Sequence, residues 1–206
     1  MRIQPELKND WLMFEERIAK EGIPVVQEVS AKLKEYAALL YYWSGKINLI
    51  SVGDRNYLVT RHIAPSLALI PLIKMVPHQT ILDFGSGAGL PGIPLKIVLA
   101  DSDVILVESR RRRAHFLREV VRRLGLEKVK VFNARLEKGH FRDIEVVVSR
   151  AVKQPDEVWS SIKPFLTPYG SLITTLSQKQ KALALIALER VSQVGERAST
   201  KGLVLG

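Results

Sequence analysis

The sequence predicts an α/β chain: a mostly parallel sheet with helices on both faces, preceded by a helical N-terminal extension. Three observations carry this. From residue 78 onward, short apolar runs alternate with amphipathic stretches, the pattern of successive β-α units. Before residue 78, apolar residues recur at helical spacing. Just beyond that boundary stands ILDFGSGAGLPG (81–92), a glycine-rich turn that lets a ligand approach the backbone between a strand and a helix.

Taken in order, a first helix is expected over about 7–20. Val29, Leu33, Tyr36, Ala37, Leu40 and Trp43 make the apolar stripe of a second, which Gly45 ends. A third is expected over about 56–75, broken or entered at Pro65. TILDF (80–84) is the first strand, IPLKIVLA (93–100) a helix with Pro94 in its first turn, and DVILVE (103–108) the second strand. Residues 111–125 form a helix that Gly125 caps. KVKVF (128–132) and IEVVVS (144–149) are the next strands. VWSSIKPFL (158–166) reads as a helix before a turn at 168–170, SLITTL (171–176) as a fifth strand, and QKQKALALIALER (178–190) as a helix. The tail has room for a small hairpin, at about 190–196 and 201–205. The chain thus divides into a helical extension (1–77) and a core (78–206), expected to form one compact unit.

A chain of 206 residues suits one domain with a sizeable core. Its 47% hydrophobic and 25% charged content is ordinary for a soluble protein. There is no Cys, which excludes disulfides, thiolate metal sites and a cysteine nucleophile; no metal site is expected. The opening MRIQPELKND lacks the apolar core of a signal peptide. No stretch approaches the roughly eighteen apolar residues of a membrane span. A cytoplasmic protein with no membrane association is expected.

The charge is less ordinary. Lys and Arg number 31 against 21 Asp and Glu, a net +10, which points to an anionic partner, nucleic acid first. Residues 110–123 (RRRRAHFLREVVRR) hold seven Arg and one Glu. In that helix Phe116, Leu117, Val120, Val121 and Leu124 share an apolar face, while Arg111, Arg118 and Arg122 point away from it. Arg113 falls on the apolar side of the first turn, and a buried guanidinium needs partners, so it is expected to brace an adjacent loop. The Arg cluster reads either as an RNA-facing surface, Arg110 to Arg112 with Arg118 and Arg122, or as a solvated helix face.

The glycine turn fits two fingerprints. Gly87, Gly89 and Gly92 make the G-x-G-x-x-G of dinucleotide-binding folds. Gly85, Gly87 and Gly89, preceded by Asp83, make the D-x-G-x-G-x-G of methyltransferases that use S-adenosylmethionine. The second frame puts its first glycine at the strand end and fits the strand boundary better. Glu108, ending the second strand, is placed to accept hydrogen bonds from an adenosine ribose, which both cofactors carry. The loop NARLE (133–137) follows the third strand on the same rim, where Leu136 could wall an adenine; an ordinary loop is the equal alternative.

At this point the chain resembles a known family. GSGAGLPGIPL, HFL (115–117), ARLE (134–137) and VVSRAV (147–152) occur in one order, preceded by WSGKINL (43–49) and by RHI (61–63) with Ser66 and Leu67. Together these resemble the ribosomal RNA small subunit methyltransferase G family, also called glucose-inhibited division protein B, over roughly residues 35–175. The resemblance implies a class I Rossmann-like methyltransferase that moves a methyl group from S-adenosylmethionine to N7 of one guanine in 16S rRNA. It implies cofactor contacts at Gly85, Gly87, Leu90, Glu108, Leu136, Glu137 and Arg150, and a substrate side with Asn48, Arg61, His62 and Arg135; the charge pattern, not the resemblance, adds Arg111, Arg118 and Arg122 to that side. The chain departs from the family pattern at Ser44, Pro65, Glu108 and LSQKQ (176–180), where Asn, Asp, Asp and a Lys-Gly pair are usual.

What is absent narrows the acceptor. Pyrimidine C5 methylation needs a covalent nucleophile, normally Cys. Exocyclic-amine methyltransferases carry Asn/Asp-Pro-Pro-aromatic after the fourth strand, where this chain reads SRAV (149–152). Guanine N7 exposes an in-plane lone pair with no proton to lose, so positioning suffices. The partner expected is 16S rRNA or the small ribosomal subunit, met by a monomer. The alternatives are a methyltransferase of small molecules or proteins, a nucleotide-dependent oxidoreductase, and an RNA-binding module without chemistry.

Overall fold

Strand β1 (Thr80–Phe84) lies near the middle of one sheet, flanked in parallel by β2 (Asp103–Val107) and β4 (Ile144–Arg150). The computed structural model describes residues 4–20, 25–150, 155–175, 183–187 and 203–205. Thr80 stands opposite Asp103 and Phe84 opposite Val107 on one side; on the other, Ile81 faces Val146 and Phe84 faces Ser149. β3 (Val129–Phe132) extends the sheet beyond β2, and β5 (Leu166–Thr175) beyond β4, both parallel. β6 (Leu183–Ala187) and β7 (Leu203–Leu205) follow antiparallel, giving the order β3-β2-β1-β4-β5-β6-β7. The chain steps outward from β1 to β3 and then crosses back to β4. Strand order therefore reverses beside β1, and ligands of open α/β sheets bind at such a reversal, beyond the carboxyl ends of the strands.

The helical layer covers one face. α1 (Lys8–Lys20) and α2 (Gln27–Ser44) form as the apolar stripes predict, α2 ending at Gly45. The expected helix over 56–75 is divided instead. It comprises a 3₁₀ turn (Val52–Tyr57), a π turn (Val59–Ile63), α3 (Ala64–Leu67) and α4 (Ile70–Ile73). The π turn passes directly into α3, and the chain turns at 68–69 before α4; Pro65 and Pro71 each sit in a first turn, where a missing N–H is tolerated. Buried Asp10 ties α1 to the π turn by accepting the backbone N–H of Val59 at 2.7 Å and of Thr60 at 3.2 Å. After β1 and β2 come α5 (Gly92–Val98) and α6 (Arg111–Arg123).

One apolar cluster runs from Leu7, Phe14 and Leu40 in the helical layer to Ile81, Phe116 and Val148. A second, under α7 (Pro155–Ile162), holds Leu82, Phe84, Val147, Ile162 and Leu172 on the opposite face. β1 feeds both, Ile81 one way and Leu82 the other, as strand alternation requires.

Three expectations near the C-terminus need correction. The helix placed at 158–166 ends at Ile162, and a 3₁₀ turn (Lys163–Phe165) leads directly into β5. The turn placed at 168–170 lies inside β5, where pairing with β4 jumps from Ile144–Leu166 to Val146–Ser171 and leaves 167–170 as a bulge. The helix placed at 178–190 is a strand over 183–187. Its apolar run is too short and continuous for periodicity to separate strand from helix, and the edge of β5 offers a row of backbone groups with which it pairs as a strand. β7 pairs with β6; the hairpin's first arm, 190–196, lies outside the described residues, as does 176–182.

Candidate active site

The chain leaves β1 at Gly85 with φ +76°, and Gly87 and Gly89 follow at +54° and +86°. Side chains rarely adopt this left-handed region, so three alternating glycines let the loop coil tightly with bare backbone outward. Gly85 and Ser86 both donate their N–H to the Val107 carbonyl at 3.0 Å, fastening the loop to the end of β2. On the other side Asp83 Oδ2 accepts the Gly92 N–H at 3.0 Å. A Cβ on Gly92 would stand 2.6 Å from that oxygen and 2.5 Å from Leu106 Cδ2. Gly92 is therefore a close-packing glycine between β1 and α5. Burial pushes Asp83 up to about 7, against the Gly92 hydrogen bond that lowers it, and its Oδ1 has no hydrogen-bond partner.

Glu108 closes the loop from the β2 side. Its Oε2 accepts the Gly87 N–H at 2.9 Å and its Oε1 the Arg110 N–H at 2.6 Å. The carboxylate thus already supports the glycine loop and the start of α6; each oxygen keeps a further lone pair for a hydroxyl. Asn133 Nδ2 donates to the Glu108 carbonyl at 2.8 Å and the Ser109 carbonyl at 3.2 Å, pinning the ends of β2 and β3 together. A cleft of about 260 Å³ opens there, bordered by Gly85, Glu108, Arg135, Leu136 and Glu137. Arg135, read from sequence with the substrate side, stands with the cofactor candidates. Leu90 is buried in the core, and Gly87 touches the site through Glu108.

A second group gathers in the turns after α2. Asp54 accepts from Arg61 NH1 and from Ser51 Oγ, both at 2.7 Å, and Arg61 first, then Ser51, holds its carboxyl below the usual range. His62 Nε2 stands 3.5 Å from Asp54 Oδ2 but makes no hydrogen bond. Burial first, then nearby Arg150, drives His62 down to about 4, so its ring is neutral at neutral pH. Arg150 ends β4, partly buried, and no acid forms a salt bridge with it among the described residues. Burial lowers its pKa while Tyr36, Asp83 and Asp54 raise it.

Comparison with known proteins decides what kind of site this is. A family model described as rRNA small subunit methyltransferase G matches residues 29–199. The chain belongs to that family. Ribosomal RNA small subunit methyltransferase G of Chlorobaculum tepidum is 30% identical over 97% of this chain and 93% of its own length. Its counterpart from Dichelobacter nodosus is 41% identical over 71% of each. Protein-L-isoaspartate O-methyltransferase, 16% identical, superposes with a TM-score of 0.58 over 86% of this chain and 59% of its own, which shows the fold alone.

As a methyltransferase G family member the chain uses S-adenosylmethionine, which resolves the two fingerprints of the glycine turn. The residues fit that cofactor. Positive-φ glycines, an acidic rim at Glu108 and an apolar wall at Leu136 suit an adenosine, and Arg150, which forms no salt bridge among the described residues, ends the strand paired with β1.

The remaining predicted residues lie along α6 and the loop after α2. Arg113 donates from Nε and NH2 to the Asn48 carbonyl, at 3.2 and 2.7 Å, the loop-bracing role expected of it. Asn48 thus meets the site through its backbone. Arg111 and Arg118 are exposed, whereas Arg122 is held by Glu119, at 3.0 and 2.8 Å. Sequence reasoning missed Asp54, although Ser51 three residues before it is a helix-start signal, and it missed Asn133 and Tyr36. Tyr36 donates its buried hydroxyl to the Ala88 carbonyl at 2.8 Å, joining α2 to the glycine loop; no pattern in the chain announces that pair.

Proposed function

We propose that this family member methylates N7 of a guanine in 16S rRNA, using the Gly85–Glu108–Leu136 cleft for its cofactor and the face near His62 and Arg150 for the base. The observation that carries this reading is the pairing of β1 with β4, Phe84 opposite Ser149, from which Gly85 of the cofactor loop and Arg150 follow side by side, with the Arg150 charge acting on His62. When bound, S-adenosylmethionine supplies an electrophilic methyl group. Gly85, Gly87, Leu136 and Glu137 would enclose it, Glu108 would accept from its ribose, and Arg150 would face its carboxylate; Leu90 supports the loop from the core. Guanine N7 has no proton to lose, so the chain's task is orientation rather than base catalysis. Neutral His62 suits this, since an imidazolium would oppose the positive charge developing on the purine. Arg61 and Arg135 flank the two groups, and Arg111 and Arg118 carry the surface toward phosphates.

The basic balance of the chain supports an RNA partner, bound more weakly as salt rises. Among the described residues no helix is long and apolar enough to cross a membrane. The reading is of a monomer acting in the cytoplasm on rRNA or the small subunit. The test is a methylation assay on bare 16S rRNA and on small subunits, read by cleavage specific for N7-methylguanine. Methylated guanine is expected in at least one substrate; its absence from both overturns the proposal.

A further inference from the structure

Helix α6 starts between two clefts. On one side Arg110 is bound to Glu108 of the cofactor cleft. On the other, a larger opening of about 580 Å³ is bordered by Trp43, Ile47, Arg111, Arg112, His115 and Arg118. Its floor is aromatic. Trp43 packs against Phe116 and lies edge-on to His115, with both ring centroids 5.9 Å away. Its rim is cationic, and Arg111, Arg112 and Arg118 have no acid partner among the described residues, while Arg122 and Arg123 of the same helix are satisfied by Glu119. The wall carrying Ile47 is fixed by Arg113 through the Asn48 carbonyl. Arg113 NH1 would also lie 3.7 Å from a Cβ placed on Gly87, so one side chain spans from the cofactor loop to this cleft.

We propose that this cleft is a nucleotide subsite: it takes one unpaired base of the RNA against Trp43 and His115, with the adjoining phosphates on Arg111, Arg112 and Arg118. Flat aromatic surfaces bind unpaired bases without regard to sequence, and arginines beside them bind the backbone. Uncompensated, closely spaced arginines are held for an anion, and an aromatic floor distinguishes a nucleotide from a bare phosphate. The subsite holds an unpaired neighbour of the methylated guanine, so the substrate presents single-stranded RNA there rather than a duplex. This rests on the proposed rRNA activity and adds to it the kind of RNA structure recognised.

The test titrates a single-stranded RNA hexamer and its duplex form into the protein saturated with S-adenosylmethionine, which keeps the hexamer out of the cofactor cleft. Tryptophan emission is the readout. The single strand is expected to quench it and the duplex much less. The quench should disappear in Trp43→Phe, and the hexamer should bind at least about fivefold more weakly to Arg111→Gln/Arg118→Gln, the scale of one lost stacking or phosphate contact. Equal binding of duplex and single strand, a quench that survives Trp43→Phe, or unchanged affinity in the arginine variant each overturns the subsite. Methylation of 16S rRNA by the unmodified protein is measured alongside. Methylation without this binding sinks the subsite alone; binding without methylation sinks the activity and leaves the subsite standing.

Discussion

Arg113 holds the carbonyl of Asn48 from 65 residues away in the chain, with two of its nitrogens on one oxygen. This contact fixes the loop after α2 against the start of α6. Hydrogen bonds from an ionised donor contribute about 1.5–3 kcal/mol. Arg113→Gln is therefore expected to lower stability by an amount in that range and to speed amide exchange at 47–50 while leaving β1 protected. Exchange that rises uniformly over the chain would show that the loop does not depend on this contact.

Glu108 supports two backbone N–H groups at once. Glu108→Ala leaves both without their acceptor, and S-adenosylmethionine affinity should fall about tenfold or more, as loss of roughly 1.4 kcal/mol implies. Glu108→Gln keeps an acceptor and should fall between. Titration calorimetry reads both, and wild-type affinity in the alanine variant would remove Glu108 from the site.

Gly92 has no room for a methyl group. With Leu106 and Asp83 both inside 3 Å of the added carbon, Gly92→Ala should cost about 1–3 kcal/mol through overpacking and lower the melting temperature. An unchanged melting temperature would mean that α5 slides freely on β1.

Asp83 and His62 give opposing pH dependences. Asp83 rises from 3.8 to about 7 on folding. Between those values the folded chain holds a proton that the unfolded chain has released, so stability falls as pH rises. His62 drops from 6.5 to about 4. Over that interval the unfolded chain holds the extra proton, so stability rises with pH. The slopes oppose each other from pH 4 to 6.5. Asp83→Asn should leave a stability that climbs across that window, and His62→Gln one that declines from pH 4 toward 7. Urea midpoints that run parallel to the wild type in both variants would refute the pairing.

Tyr36 and Ala88 connect the helical layer to the glycine loop through one buried hydrogen bond. Tyr36→Phe strands the Ala88 carbonyl, at a cost of about 1–3 kcal/mol. We propose that residues 1–77 and 78–206 unfold together. Tryptophan fluorescence and far-ultraviolet dichroism should then report one urea transition; two separated transitions would divide the chain into independent units.

Much of the site was legible because its parts are local. Gly85 follows β1 directly, Glu108 follows β2, and the side-chain direction of Arg113 comes from helical phase alone. What escaped depends on partners distant in the chain. The spacing of Glu108 from Gly87 suits a ribose acceptor, but not until the strands are paired does the carboxylate meet the loop's own N–H. Arg122 is the exception: its partner Glu119 is three residues away on the same helix, a local pair that the spacing itself offered. Arg135 changed company because Asn133 ties its loop to the end of β2, beside the cleft. The strand at 183–187 exists because β5 offers an edge, a fact about pairing rather than about the run ALALIAL itself.

At its other margin the sheet ends on β3, four residues long, with Lys130 exposed on it. A short edge carrying a lysine is a poor template for another strand. A second copy docking there would have to desolvate that ammonium for at most a few backbone hydrogen bonds. This margin therefore resists the edge-to-edge stacking by which parallel sheets aggregate.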